Sequence, residues 1–318
     1  MNDIRFSFHK KLSIILASFI ILPVLWLGGA VMAPQPAAAA SSAGEIGVMV
    51  NDKAVVFLDA KPIRTEGRVL VPLRAVLEGI GAKIDWNSKQ QLVTVDYAKD
   101  TDNVIVHVEM TVGSPFVGRT LTSSNGAVSS KVVQVDVPTR MINNRVYIPL
   151  RASGEFLGYS VSWTENALQA GLKQAGVAAT KVSFPEYALR GDLKEMLKEE
   201  VEVFFLTNDV RAKMGTEGPL GLDVPLSKVA RLKSKDMSEN EYFDHTSPTY
   251  GSPFEMMKQF GIDYSAAGEN IAYGYRTATS VTSGWEHSPG HLRNMLNSSF
   301  MYIGVGKYNS YWTQQFIG

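Results

Sequence analysis

The chain reads as an α+β protein in two parts, and three observations say so. A strand–helix–strand unit occurs twice, with matching residues at one constant offset. From Leu189 the apolar residues take up a helical period. The tail after Met301 then returns to the alternation of half-buried strands.

Ahead of both parts stands a segment with the layout of an export signal. Arg5, His9, Lys10 and Lys11 give a basic start, an apolar run extends from Leu12 to about Ala33, and Pro34, Pro36 and the run Ala37 to Ala40 follow. That order predicts a signal peptide over residues 1–40, cleaved after Ala40. The apolar run is also long enough to serve as an uncleaved anchor. No second apolar span follows, so no membrane span is expected once the signal is removed. The expected location is secreted, extracellular or cell-wall associated.

Composition excludes several classes of chemistry. There is no cysteine, which removes disulfides, thiolate zinc sites, a cysteine nucleophile and a lipoprotein anchor together. Lys plus Arg number 31 and Asp plus Glu number 31. Neither half carries the basic excess needed to neutralise phosphates, so nucleic acid is not an expected partner.

The duplication defines the first part, residues 45–173. Arg68-Val69-Leu70-Val71-Pro72-Leu73-Arg74-Ala75 matches Arg145-Val146-Tyr147-Ile148-Pro149-Leu150-Arg151-Ala152, and the match continues through Glu78 and Glu155, Gly81 and Gly158, Trp86 and Trp163. Pro72 suits the first helical position, where its missing N–H is not needed. Leu73, Val76, Leu77 and Ile80 follow at helical spacing, and Gly81 suits a left-handed helix end. Residues 83–86 and 91–96 alternate as strands. Arg74 with Glu78, and Arg151 with Glu155, are spaced to pair along their helices. In the second copy Ser153 and Gly154 replace Val76 and Leu77.

These repeats resemble the copper amine oxidase N-terminal-like, or stalk, domain of exported proteins from Gram-positive bacteria. The resemblance implies a β-rich α+β spacer or wall-binding module. No copper is expected, because His107 is the only histidine in this region and its strand-like surroundings make it a face residue. Residues 174–187, with Gly176, a small-residue run and Pro185, read as a linker.

The second part, residues 188–318, starts with Leu193, Met196, Leu197, Val201, Phe204 and Phe205 on one helical stripe running on to Asn208 and Arg211. Helices are expected from about Pro225 to Ser238, with Leu226, Val229, Ala230 and Met237 inward, and from Pro253 to Phe260. Met301 to Gly306 and Tyr311 to Phe316 read as strands joined by a turn at Asn309-Ser310. Helices around a small antiparallel sheet make an α+β unit.

Three words in this part carry chemistry: Tyr242-Phe243-Asp244-His245-Thr246-Ser247-Pro248, Gly268-Glu269-Asn270-Ile271, and Trp285-Glu286-His287-Ser288-Pro289-Gly290-His291. The chain has five histidines, and imidazole and carboxylate are the groups used to move protons and hold divalent metals. Ser288 reads as a helix N-cap with Pro289 at the first position, which puts His291 in the first turn, where the helix dipole favours neutral imidazole. His287 precedes that cap, so it shares no helical face with His291 and reads as a rim residue.

With Asn208 and Arg211, these words and the closing Tyr311-Trp312-x-Gln314-x-Phe316 resemble the CAP superfamily of cysteine-rich secretory, antigen 5 and pathogenesis-related proteins, in its disulfide-free bacterial branch, over about residues 195–318. The resemblance implies an α-β-α sandwich whose cleft holds two histidines and two acidic residues. His245, Glu269 and His291 match three of the four. The fourth falls on Ser288, and Glu286 is displaced from that position.

Three readings of the trio stay open. Two imidazoles and a carboxylate suffice for a divalent metal such as zinc with one site left for water. Without metal, Glu269 could orient one histidine while the other acts as general base. A polar network bracing three elements needs no chemistry, and Asn270 and Tyr242 read as part of such bracing. The functional expectation is a secreted, envelope-associated protein whose His/Glu cleft binds a cell-wall glycan, a lipid or a peptide. Its alternative is a metal-assisted, protease-like hydrolase of extracellular peptide or wall material. Tyr273, Tyr275 and Tyr311 are candidates to line a groove for sugars or lipids, or to pack in the core.

Overall fold

The computed structural model of the chain describes residues 44–99, 103–176, 180–216 and 218–318. The export signal read over residues 1–40 lies outside them. Helices and sheets combine throughout as an α+β protein.

The N-terminal half begins with β1 (Gly47–Val50) and β2 (Lys53–Ala54). The first repeat is β3 (Ile63–Thr65), β4 (Arg68–Pro72), α1 (Leu73–Ile80), β5 (Lys83–Asn87) and β6 (Leu92–Lys99). A meander of β7 (Val104–Thr111), β8 (Phe116–Thr122) and β9 (Val128–Gln134) leads to the second copy: β10 (Arg140–Ile142), β11 (Arg145–Pro149), α2 (Leu150–Phe156), β12 (Tyr159–Thr164) and β13 (Gln169–Gln174). Pro72 ends β4 and caps α1 from an extended conformation, one position earlier than expected. Leu73, Val76, Leu77 and Ile80 are buried, and Gly81 closes the helix at φ 88°, a value that costs glycine nothing.

The two copies meet about a local two-fold. Strands β4 and β11 pair antiparallel with Val71 opposite Ile148, which are equivalent positions of the duplication. The side chains obey the same relation. Arg145 Nε donates to Asp59 at 3.0 Å, and the equivalent Arg68 pairs with the equivalent Asp136. These pairs are solvent-exposed and add little stability, but they mark the symmetry.

One expectation fails here. Arg74 and Glu78 approach to 3.7 Å along α1, whereas Arg151 and Glu155 do not pair. A Cβ on Gly154 would lie 2.6 Å from Val161, so α2 sits close against β12 and Glu155 is buried. A buried carboxylate needs donors, and Glu155 takes them from Ser183, through the backbone N–H at 2.7 Å and the hydroxyl at 2.8 Å.

The C-terminal half comprises β14 (Glu186–Arg190), α3 (Lys198–Lys213), β15 (Gly221–Asp223), α4 (Val224–Glu239), α5 (Pro253–Gln259), β16 (Ala267–Tyr273), α6 (Ala278–Glu286), α7 (Pro289–Leu296), β17 (Tyr302–Tyr308) and β18 (Tyr311–Ile317). Leu189, read as the start of a helical pattern, is in β14. The helix begins only at Lys198, after a short turn at Leu193–Glu195. The alternation of Tyr187 and Leu189 with their neighbours is a strand period that the longer apolar run masks.

Strand β14 joins the halves. It pairs antiparallel with β9, Tyr187 opposite Val132, and parallel with β15, Leu189 opposite Leu222. One ten-stranded sheet results, in the order β16-β18-β17-β15-β14-β9-β8-β7-β6-β5. The core of the C-terminal half accordingly takes in Phe116 and Val132 from β8 and β9. Phe116 stacks on Phe205 at 5.1 Å, and Tyr187 sets its edge against Phe204 and Phe205. Each such aromatic pair adds about 0.5–1.5 kcal/mol beyond its burial.

Around β16, β17 and β18 the layers are α-β-α. Helix α4 covers one face, where Ser234 meets Thr313, and α3 covers the other, where Thr207 meets Gln314. Gly304 and Gly306 allow α4 its close approach. A Cβ on Gly304 would stand 2.5 Å from the backbone of Leu226, and one on Gly306 would collide with that of Arg231.

Candidate functional site

Strand β16 is an edge strand of the sheet, and the site is built around its Glu269. The Glu269 side chain is 2% exposed and that of His245 is 52% exposed, their Oε1 and Nδ1 2.9 Å apart. On the neighbouring strand Gln315 Nε2 donates to the other carboxylate oxygen at 3.1 Å. Gln315 Oε1 is buried and has no partner among the described residues. Such an acceptor calls for a hydroxyl or water donor.

The segment carrying His245 is irregular backbone and is held by α4. Lys233, fully buried, donates to the carbonyls of Asp244 at 2.8 Å and His245 at 2.9 Å and to the Tyr242 hydroxyl at 3.0 Å. Burial pushes its ammonium below the ordinary lysine value. Three residues further along α4, Asp236 gathers the hydroxyls of Tyr242, Ser247 (2.6 Å) and Thr249 (2.7 Å) and the amide of Asn240 (2.8 Å). Burial alone would raise this carboxyl, yet the combined hydrogen bonds hold it below its usual range.

His291 approaches from the other layer. It lies in the first turn of α7, as the sequence implies, with Ser288 at the N-cap, although the Ser288 side chain makes no capping bond. Asn270, next to Glu269, donates to the His291 carbonyl at 3.1 Å and to Gln314 at 3.0 Å. Asn294 bonds the carbonyl of Glu269 at 3.1 Å and the Asn270 side chain at 2.8 Å. Asn270 and Tyr242 therefore brace the site.

The two imidazoles are pushed in opposite directions. The hydrogen bond to Glu269, opposed by burial and reinforced by the carboxylate charge, raises His245 above 6.5. Burial first, and then the charge of His245, lower His291 below it. The charge of His245 thus acts on His291, while Glu269 bonds His245 directly. For metal binding the donors would have to turn. Both Glu269 oxygens are engaged, and no group of three or more His, Cys, Asp and Glu is placed to hold an ion among the described residues.

The other sequence candidates stand outside this site. His287 ends α6, is exposed, and its Nδ1 lies 2.8 Å from the Ser283 carbonyl. Glu286 pairs with Lys213 at 2.7 Å. His107 lies between Asp96 and Glu109 on the distant part of the sheet. Asn208 and Arg211 bind backbone: Asn208 the N–H and carbonyl of Leu220, Arg211 the carbonyls of Gly218, Met295 and Asn297.

Sequence reasoning missed Lys233, Asp236 and Gln315. A signal for the first two existed, since they are charged residues on the face of α4 that also carries Val229, Ala230 and Met237. Of the aromatic row beside the site it named Tyr273 and Tyr311 as groove candidates but missed Phe243. Phe243 and Tyr273 are 52% and 58% exposed, with ring centroids 6.3 Å apart, and Tyr273 lies 4.5 Å from Tyr311. Tyr275 instead packs against the core.

A three-layer α-β-α unit with a histidine–glutamate pair at its sheet edge, continuous with a duplicated β-rich unit, is the class of protein defined here. Residues 204–316 match the Cysteine-rich secretory protein family, CAP, and residues 49–171 match the Copper amine oxidase N-terminal domain. Over 121 residues it is 56% identical to the uncharacterized protein YkwD of Bacillus subtilis, covering 37% of this chain and 47% of that protein. Over 118 residues it is 42% identical to the uncharacterized membrane protein YlbC of the same organism, covering 37% of this chain and 34% of that protein. The chain thus spans about half and a third of the length of these curated relatives. A solved extracellular SCP-domain protein from Bacillus anthracis is similar at 21% identity and TM-score 0.37, over 74% of this chain and 88% of that one. No helix among the described residues is long and apolar enough to cross a membrane.

Proposed function

We propose that this is an exported, envelope-associated CAP-domain protein that binds a glycan, lipid or peptide at the β16 edge, with the N-terminal half as spacer or wall-binding module. One observation carries the reading: a half-exposed His245 on a buried Glu269, next to a row of three aromatic rings in which Phe243 and Tyr273 are exposed and Tyr311 is half-buried. Exposed aromatics offer flat apolar faces to sugar rings or acyl chains. The test is binding of purified wall fragments, lipid vesicles and peptides by the intact protein and by His245→Ala and Tyr273→Ala. Loss of one ligand class in both variants, with melting lowered by no more than about 2–4 °C, supports the reading. Unchanged binding of every class defeats it.

Hydrolysis is a second reading, favoured by the opposed shifts of His245 and His291. A pair of titrating groups pushed apart supplies an acid and a base together. His245 would hold the proton given to a leaving group, and His291, neutral, would take one from water. Casein and wall fragments, with and without zinc, magnesium or calcium, separate the two readings. Turnover that vanishes in His291→Ala favours hydrolysis, and turnover that survives it rejects this assignment.

A further inference from the structure

The duplication is broken at one functional point. In the first repeat Arg74 faces Glu78, but in the second Glu155 is held by Ser183, and no carboxylate pairs with Arg151 among the described residues. Arg151 is exposed and lines two adjoining hollows of about 180 and 620 Å³, which share Arg68, Asp136 and Phe184 in their walls. The smaller adds Arg64 and Trp163, and the larger adds Lys198 from α3. Arg64 and Arg68 have partners in Glu165 and Asp136. Arg151 therefore supplies positive charge without a carboxylate partner, Lys198, whose ammonium meets the Gly113 carbonyl at 3.4 Å, supplies a second, and Trp163 and Phe184 supply partly exposed ring surface.

We propose that this groove binds an acidic oligosaccharide, with an acid group on Arg151, a second toward Lys198, and sugar rings against Trp163 and Phe184. Guanidinium binds carboxylate or phosphate through two parallel N–H donors, which a neutral sugar cannot exploit. Flat ring faces pack against the apolar faces of sugars, which a bare anion lacks. Together they select a polymer that is both sugar and acid. The site is separate from His245, and it gives the N-terminal half a ligand chemistry of its own.

The experiment titrates the intact mature protein with tetragalacturonate, with its uncharged methyl ester, and with galacturonate monomer. The tetramer is expected to bind at low salt and weaken as salt screens the charges. The monomer, which loses one charge-assisted contact, should bind about tenfold more weakly, and the ester, which loses both, about a hundredfold more weakly. Arg151→Ala and, separately, Lys198→Ala should reduce tetramer binding by about the same factor with unchanged melting. Arg74→Ala, at the equivalent exposed position of the first repeat, should leave it intact. Equal binding of acid and ester, no tetramer binding at all, or an Arg74→Ala effect as large as that of Arg151→Ala would overturn the proposal. A monomer that binds as well as the tetramer would reduce the groove to a simple anion site and also reject it.

Discussion

Replacing Glu269 by Gln removes the charge beneath His245 while keeping the shape of the side chain, and the consequence follows from the groups around the imidazole. In the native protein the hydrogen bond and charge of Glu269 outweigh burial and raise His245 above 6.5. Without the carboxylate charge, burial and the Lys233 ammonium lower the value and outweigh the weaker upward pull of Asp244. His245 should therefore move from above the ordinary imidazole value to below it. A hydrogen bond to a charged group contributes about 1.5–3 kcal/mol when buried, and His245 is half in water, so the stability at stake is roughly 1 kcal/mol. Its pH dependence has a definite sign. A histidine raised on folding stabilises fully below its unfolded value, and that contribution fades as pH rises from about 6.5 through the folded value. Glu269→Gln should thus differ most from wild type below pH 6.5 and converge with it in alkaline solution. Imidazole proton NMR across the pH range, with His245→Ala to assign the signal, reads the titration. Urea denaturation on either side of the window reads the stability. An unmoved His245 titration in Glu269→Gln, or a stability gap that widens with rising pH, would refute the assignment.

Further expectations concern the supports. Asp236→Ala removes the acceptor shared by Tyr242, Ser247, Thr249 and Asn240; it should cost about 2–4 kcal/mol and speed amide exchange at Thr249 and Tyr250, whose N–H groups bond Ser247 Oγ. Gly306→Ala should force α4 off β17 and cost about 1–3 kcal/mol or more by urea denaturation. Phe116→Ala should cost about 3–5 kcal/mol, and because that ring belongs to the core of the other half, fluorescence and circular dichroism should still report one shared transition. In His245→Ala, His291 should titrate nearer 6.5 while staying below it, since burial persists after the neighbouring charge is gone; NMR checks this.

Where local chemistry and tertiary packing agreed, the sequence was legible. Val224–Glu239 and Pro253–Gln259 announce themselves by helical period and by Pro225 and Pro253 near their starts, and Asp223 and Ser252 cap them as side chains of their type do. Gly81 stops α1 where a left-handed residue was expected. The encounter of His245 with Glu269 was legible only through family resemblance, because no local rule brings residues from an irregular segment and an edge strand together. What failed depended on non-local contacts. Strand β14 exists because β9 and β15 offer it partners, and five residues carry too little period to outweigh the helical stripe beyond them. The spacing of Arg151 and Glu155 was correct for a pair, but the depth of α2 delivered Glu155 to Ser183. Lys233 and Asp236 escaped notice because polar residues on a helix usually face water; here an irregular loop lies over them and needs their hydrogen bonds.

The unbroken hydrogen-bonded ladder from β5 to β16 acts as a ruler. Nine interstrand steps at ~4.8 Å set its two open edges roughly 40 Å apart across the strands. Since β14 takes the place of a tether, the duplicated half and the His245 edge keep a fixed spacing along one sheet.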